Sequence, residues 1–381
     1  MKIPTTLDMM RQLIAIPSVS SVNREFDQSN RAIIDLLANW CSGLGLRCTV
    51  TPIPDHPDKY NLLAVSGGSG DGLLLAGHSD TVPYDINSWR YDPFTLTEDN
   101  NRLYGLGTCD MKVFFALVLT AYQQILRQNI TLKHPFTFLA TANEESNMAG
   151  VKALTEKPRA GCAIIGEPTG LVPVRMHKGI FMEAIRLHGQ SGHSSDPDFG
   201  KSALDGMSLV MMDLLQWRKE LQEQYHNSDF LVPVPTLNFG HIRGGDSANR
   251  ICGECEMHMD FRPLPGMNID ILRGELRRRV REVLLDSGLR VEFISLFDGI
   301  PPLETKVDSD LVILAEKLTG RGAGAVSYGT EAPFLQELGM ETIILGPGDI
   351  DQAHQPDEFI GFDRLQPMMD IIGKFIAHYC L

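Results

Sequence analysis

The sequence lacks an apolar run long enough for a membrane. Its longest runs, such as Val113 to Ala121, fall short of the ~20 residues that span a bilayer. It lacks the unbroken apolar core of a signal peptide, because polar residues interrupt Leu and Ile from Met1 to Ile16. It lacks basic excess. Lys and Arg number 34 against 48 Asp and Glu, a formal net charge of −14, so there is no electrostatic case for nucleic acid or an anionic membrane. It also lacks a disulfide framework. Seven cysteines, odd in number and irregularly spaced in a long chain, indicate a reducing cytoplasm. The acid excess suits a cation of high charge.

What is present is a repeated pattern at the ends of apolar runs. Leu73-Leu74-Leu75-Ala76-Gly77 reads as a buried strand and is followed by His78 and, two residues on, Asp80. Phe136 to Ala140 leads into Glu144-Glu145, and Cys162 to Gly166 into Glu167. Thr342 to Gly346 leads through a loop to His354, and Gly105 to Cys109 delivers Asp110 to the start of an apolar helix. In open α/β sheets, functional groups collect past the carboxyl ends of strands.

Along the chain, an amphipathic helix over Met1–Ile16 ends before Pro17. A second helix runs from about Asn30 to Cys41, with Ile33, Leu36, Leu37 and Trp40 on one face. Arg47 to Pro52 and Tyr60 to Val65 read as strands, Pro83 to Gly107 as a long loop, and Met111 to Leu126 as an apolar helix. This alternation predicts an α/β fold: a mostly parallel mixed sheet with helices on both faces. From Lys178 the order becomes strand (179–189), helix (202–226), strand (236–242), strand (251–261), helix (268–286) and strand (289–294). That β-α-β-β-α-β order fits a small ferredoxin-like domain inserted in the first; one continuous α/β domain is the alternative. The division predicted is 1–178 with 290–381, and 179–289 for the insertion.

His78, Asp110, Glu144, Glu145, Glu167 and His354 form one chemical set. Neutral imidazoles and carboxylates are ligands for Zn²⁺, Co²⁺ or Mn²⁺. Two histidines and three carboxylates would hold a pair of ions. The remaining acid could serve as general base in metal-assisted hydrolysis. Asp80 is placed to hold the His78 ring in its ligating tautomer. Taken singly, a histidine after a strand is usually a satisfied polar group, and Glu144-Glu145 a solvated turn. The repetition is what points to a site.

These segments resemble the co-catalytic zinc amidohydrolase family. Gly77-His78-Ser79-Asp80-Thr81-Val82-Pro83, Gly105 to Lys112, Thr141 to Glu145 and Gly166 to Thr169 are similar to its metal signatures. The resemblance runs nearly end to end. Arg175 to Gly179, Gly189 to Ser195, Gly244 to Cys252, Arg262 to Gly266 and Gln352 to Glu358 place it nearest a branch that deacylates amino acids. The resemblance implies a zinc-peptidase-like catalytic domain with two Zn²⁺ per subunit, Co²⁺ serving as a substitute. His78 and Glu167 would hold one ion, Glu145 and His354 the other, and Asp110 would bridge them. Asp80 would orient His78, and Glu144 would be the general base. The insertion would be a dimerisation domain of a homodimer, with His193 reaching the partner's site to steady the oxyanion. Asn249, Arg262 and Thr330 would contact a small N-acyl amino acid substrate. Arg250 joins Arg262 because a guanidinium binds a carboxylate bidentately. A desuccinylase, a carboxypeptidase or a non-catalytic metal- or ligand-binding relative are the rival readings.

Other signals carry less. Cys252-Gly253-Glu254-Cys255 has a redox or zinc spacing, but on a strand over 251–261 its thiols would face opposite sides. Gly105-x-Gly107 is too short for a dinucleotide loop. Arg277-Arg278-Arg279 reads as a solvated helix face. Leu204, Met207, Met211 and Leu214 form a stripe at helical spacing, and Met207, Met211 and Met212 read as core or interface, not as a cofactor site. The family's glycine after the Asp-Met-Lys stretch is replaced by Val113. Cys109 beside Asp110 is either a small buried residue or an oxidation-sensitive thiol.

Overall fold

The computed structural model describes residues 3–381, so Met1 and Lys2, the start of the expected first helix, lie outside the described residues. That helix is Thr6–Ile14, capped by Thr5, whose hydroxyl accepts the Asp8 N–H; Met9, Met10, Leu13 and Ile14 are buried. The chain divides into two compact units. The first comprises the described residues up to Arg175 with Thr305–Gly324 and Thr330–Leu381, and the second Met176–Glu304 and Ala325–Gly329.

In the first unit a mixed sheet runs through strands Arg47–Ile53, His56–Val65, Phe136–Thr141, Gly72–His78, Ala160–Ile165 and Glu341–Ile344, in that spatial order. The first two pairings in this order are antiparallel and the next three parallel. Every residue of Gly72–His78 is buried, as expected of a strand covered on both faces. Leu73, Leu75, Phe136, Phe138, Cys162, Ile164 and Ile343 share a core with helices Thr6–Ile14, Arg31–Gly43, Lys112–Leu126, Asp310–Thr319 and Leu365–Cys380. The alternate residues Leu74, Ala76, Ala163, Ile165 and Ile344 point to the other face and are buried too. Val113 is fully buried in the shared core, so the helix start accepts a β-branched residue there.

The stretch 83–107 is not all loop. Thr97–Asp99 and Arg102–Tyr104 pair antiparallel, and Phe359–Gly361 adds to them. Three-residue strands carry no readable periodicity, which is why the sequence did not betray them.

The second unit is an antiparallel sheet in the order Thr236–Gly244, Glu254–Arg262, Ile180–His188, Arg290–Ile300, with helices Ala203–Gln224 and Ile269–Val283 in the connections. The element order is β-α-β-β-α-β. Arg290–Ile300, which a division at 289 leaves outside, pairs along Ile180–His188, so the unit continues to Glu304. Asn268 caps the second helix by accepting the Ile271 N–H at 3.0 Å. The first helix turns inward on Met207, Val210, Leu214, Trp217 and Leu221. Leu204 and Met212 are exposed and Met211 only partly buried, so only part of the stripe at helical spacing faces inward. The basic run is likewise more than a solvated face. Arg279 joins the two helices through Asp213 and Glu220, and Arg277 lies 3.8 Å from the buried Glu183. Cys252 precedes its strand, which begins at Glu254, and its thiol donates to the Glu254 carbonyl. Both it and Cys255 are free thiols.

Candidate metal centre

The parallel strands of the first unit end at one edge. Pairing His78 with Thr141 and Ala76 with Ile165 brings the segments leading to Glu144, Glu145 and Glu167 beside His78. The sheet's register therefore gathers what the sequence scattered. His78, Glu144 and Glu167 each bring a ligand atom within 4.8 Å of one another, and so do His78, Asp110 and Glu145. His354, held at φ 59°, places Nε2 3.1 Å from Glu145 Oε2 and 3.4 Å from Asp110 Oδ2.

His78 shows what these groups require. Its Nδ1 lies 3.0 Å from the Asp80 carbonyl oxygen, which can only accept, so Nδ1 carries the proton. Nε2 then faces Asp110 Oδ1 at 2.9 Å and Glu167 Oε1 at 3.7 Å. A ring nitrogen facing two carboxylates needs a positive charge between them, either the proton of a charged ring or a metal ion. Glu167 Oε1 is moreover buried without a hydrogen-bond partner. Burial disfavours a charged His78, yet Glu167 and Asp110 raise its pKa well above the ordinary range. Burial, then the nearby Asp110, pushes Glu167 up to about 7. Burial and Glu167 raise Glu144 well above a usual carboxylate, and burial and Asp110 raise Glu145. Hydrogen bonds donated by His354 to Asp110 and Glu145 push its pKa up to about 10. Carboxylates crowded around imidazole nitrogens that otherwise hold protons fit divalent cations, which can take the place of those protons.

Asp80 acts differently from expectation. Its carboxylate is 3.8 Å from His78 Nδ1, and its backbone carbonyl holds the ring instead. The carboxylate Oδ2 accepts the Glu145 N–H at 3.1 Å, tying the turn that carries both glutamates to the His78 segment. Asn143, at φ 59°, begins that turn, and its amide oxygen accepts from Ser20.

Sequence reasoning missed Glu358. This buried carboxylate accepts the N–H groups of Gly107, Cys109 and Asp110 at 3.0, 2.7 and 3.0 Å, fixing the loop that delivers Asp110. The Phe359–Gly361 strand puts it there, since Phe359 pairs with Tyr104. Burial pushes Glu358 up to about 8, against the pull of the N–H donors. Buried Lys112 is pushed down to about 7 by desolvation, opposed by Glu358 and Asp80, and donates to the Ile16 carbonyl. Glu331 was missed as well. It is buried, pushed up to about 8 by burial, and bonded at 2.8 Å to the Thr141 hydroxyl. Thr330, its neighbour, is buried and caps the Ala332 N–H. Cys109 is buried and its thiol pKa raised by desolvation beside Glu358 and Asp110, so it stays protonated and unreactive.

His193, Asn249, Arg250 and Arg262 belong to the second unit. His193 pairs with Arg250 in an isolated antiparallel bridge, and the Ser194 N–H donates to the Asn249 carbonyl at 3.1 Å. His193, Asn249 and Arg250 are therefore neighbours. Arg250 is exposed and paired with Asp246 at 2.8 Å. Arg262 donates through Nε to Asp260 at 2.8 Å.

The profile of peptidase family M20/M25/M40 matches residues 74–378. The chain belongs to that family. An acetylornithine deacetylase of Erwinia tasmaniensis is 49% identical over 381 residues, covering 100% of this chain and 99% of the relative. One of Yersinia pestis is 49% identical over 387 residues with the same coverage. Among solved structures, aminopeptidase PepT of Bacillus cereus superposes with a TM-score of 0.77 at 18% identity, covering 97% of each chain. An M20 metallo-carboxypeptidase of Sulfolobus solfataricus gives 0.73 at 18% identity, covering 98% of this chain and 99% of the other. At these identities the structural likeness shows the M20 fold. No helix among the described residues is long and apolar enough to cross a membrane.

Proposed function

We propose that this M20 protein is an acetylornithine deacetylase, which hydrolyses N2-acetyl-L-ornithine to L-ornithine and acetate in arginine biosynthesis in the cytoplasm. The observation that carries the reading is 49% identity to acetylornithine deacetylases over essentially the whole of both chains. The cation-demanding arrangement around His78 supports it.

His78, Asp110 and Glu167 would hold one Zn²⁺, and Asp110, Glu145 and His354 a second, with Co²⁺ as a substitute. When bound, such ions lower the pKa of water from 15.7 to about 7 and polarise the amide carbonyl. The chain's own groups do the rest. Glu144 takes the proton from the attacking water and returns it to the leaving amine. His193, from the partner protomer, donates a hydrogen bond to the tetrahedral oxyanion. Arg262 or Arg250 binds the substrate carboxylate, with Asn249 and Thr330 in contact. The active form is a homodimer. Leu204, Leu209 and Met212 are exposed along one helix, and most residues of the edge strand Thr236–Gly244 are open to solvent, a surface suited to a second copy.

The test is steady-state hydrolysis of N2-acetylornithine beside N-succinyl-diaminopimelate, on Zn²⁺- or Co²⁺-loaded protein and on chelated protein. Acetylornithine turnover that vanishes with the metal and returns with it is the expected result. Metal-dependent turnover of the succinyl substrate instead would move the protein to a sister activity. No hydrolysis with metals loaded would make it a binding protein.

A further inference from the structure

The hydrogen bonds at His193 determine which ring nitrogen carries its proton. The backbone N–H of Ser195 donates to His193 Nδ1 at 3.2 Å. A backbone N–H can only donate, so Nδ1 is the lone-pair nitrogen. The Ser195 hydroxyl lies 2.7 Å from the same Nδ1. With that nitrogen already an acceptor, the hydroxyl also donates to it. In neutral His193 the proton is then on Nε2, and the ring is gripped on its Nδ1 side by two donors from one residue. The segment is itself anchored. The Ile251 N–H donates to the Gly192 carbonyl at 2.9 Å, the Ser194 N–H to the Asn249 carbonyl, and Gln190 bridges to Lys201.

We infer that Ser195 is a positioning residue for catalysis: its hydroxyl and backbone N–H fix His193 as the Nε2–H tautomer and aim that N–H outward as the oxyanion donor. The inference rests on the proposed role of His193 and deepens it. The opposite tautomer would present a lone pair to an anion. A hydroxyl that accepted from Nδ1–H would also leave the Ser195 N–H facing a proton. The arrangement with both groups donating is the one that leaves no donor facing a donor.

The test uses the metal-loaded enzyme with acetylornithine and the variants Ser195→Ala, Ser195→Thr and His193→Ala, together with ¹⁵N NMR of histidine-labelled protein. The His193 resonance is assigned by its loss in His193→Ala. Partners that orient metal-ligating histidines are typically worth about 10–100-fold, and one hydroxyl orienting a hydrogen-bonding histidine is set at the lower end, roughly tenfold. Ser195→Ala should therefore lower kcat by about that factor and leave KM within about twofold, and the His193 nitrogens should shift toward a mixture of tautomers. Ser195→Thr, which keeps the hydroxyl, should restore both the rate and the wild-type spectrum. Wild-type kcat in Ser195→Ala, or a loss of kcat with an unchanged tautomer signature, overturns the inference alone, provided His193→Ala is itself impaired. If His193→Ala keeps full kcat, the oxyanion role fails and this inference falls with it.

Discussion

Glu358 holds Asp110 by its backbone: one oxygen, Oε1, accepts the Asp110 N–H at 3.0 Å and the Cys109 N–H at 2.7 Å. The other oxygen takes the Gly107 N–H. A glutamine has a single acceptor oxygen, and its amide group would meet one of these N–H donors with a donor of its own. Glu358→Gln should therefore lower metal affinity by about 10–100-fold, the usual effect of losing a partner behind a ligand. It should also cost about 1–3 kcal/mol of stability for the stranded buried donor. Calorimetric titration of the chelated protein with Zn²⁺, beside a thermal melt, measures both. An unchanged affinity would reduce Glu358 to a structural role.

Glu144 and Glu145 are adjacent yet are assigned opposite duties, and metal content separates them. On the proposed roles Glu144→Ala removes a base and no ligand, so it should lose about 10²–10⁴ in kcat while retaining two metals. Glu145→Ala removes a partner of His354 and should lose one metal together with activity. Because Glu144 also lies within ligand range of His78 and Glu167, the result is not a formality. Loss of metal from Glu144→Ala in proportion to its loss of activity would reverse the two roles.

The legible part of this molecule was whatever repeats. The strands before His78, Glu144 and Glu167 are buried along nearly their whole length and rich in apolar residues because both faces of the sheet are covered, and that burial writes itself into the sequence. The histidines and acids at their ends were legible for the same reason. Glu358 was not, because its role depends on a three-residue strand bringing 358 beside 107–110, a pairing across some 250 positions with no periodic trace. Asp80 shows a second limit. Its type suggested a carboxylate holding His78, but the backbone carbonyl does that and the side chain holds Glu145. Choice of side chain can be read from sequence, whereas a main-chain contact cannot. The buried face of Ala203–Gln224 was not legible from spacing for a third reason: with apolar residues on several sides of the helix, the phase is set by Val210, Trp217 and Leu221 and not by the exposed Leu204.

Without its metals the protein should be stabler in acid than at neutral pH. Glu167, titrating at about 7 when folded against 4.5 ordinarily, keeps a proton that the unfolded chain releases. Its contribution is complete below about 4.5 and is lost as pH rises through about 7. His354, raised from 6.5 to about 10, acts in the same direction over a higher range. Asp110 works oppositely. Burial raises it, but hydrogen bonds from His354 and His78 outweigh that and hold it below 3.8, so its contribution is lost only in stronger acid. Bound metal replaces these protons. The gap in melting temperature between loaded and chelated protein should therefore widen from about pH 5 to about pH 8. A gap independent of pH would mean that the carboxylates do not share their cation site with protons.

Thiol chemistry should begin at Cys48 and spare Cys109. The contact from Cys41, aided by the Ser42 hydroxyl 3.4 Å away and opposed by partial burial, pulls the Cys48 thiol down to about 6. Cys48 is also partly exposed, whereas Cys41 and Cys109 are buried with raised pKa values. The thiolate is the reactive form, so at neutral pH Cys48 combines reactivity with access. Limited iodoacetamide treatment followed by peptide mass spectrometry should find label on Cys48 first, with hydrolysis intact because Cys48 lies on the Arg47–Ile53 edge strand away from the metal residues. Early labelling of Cys109, with activity falling in step, would show that the loop held by Glu358 opens far more readily than its three N–H bonds imply.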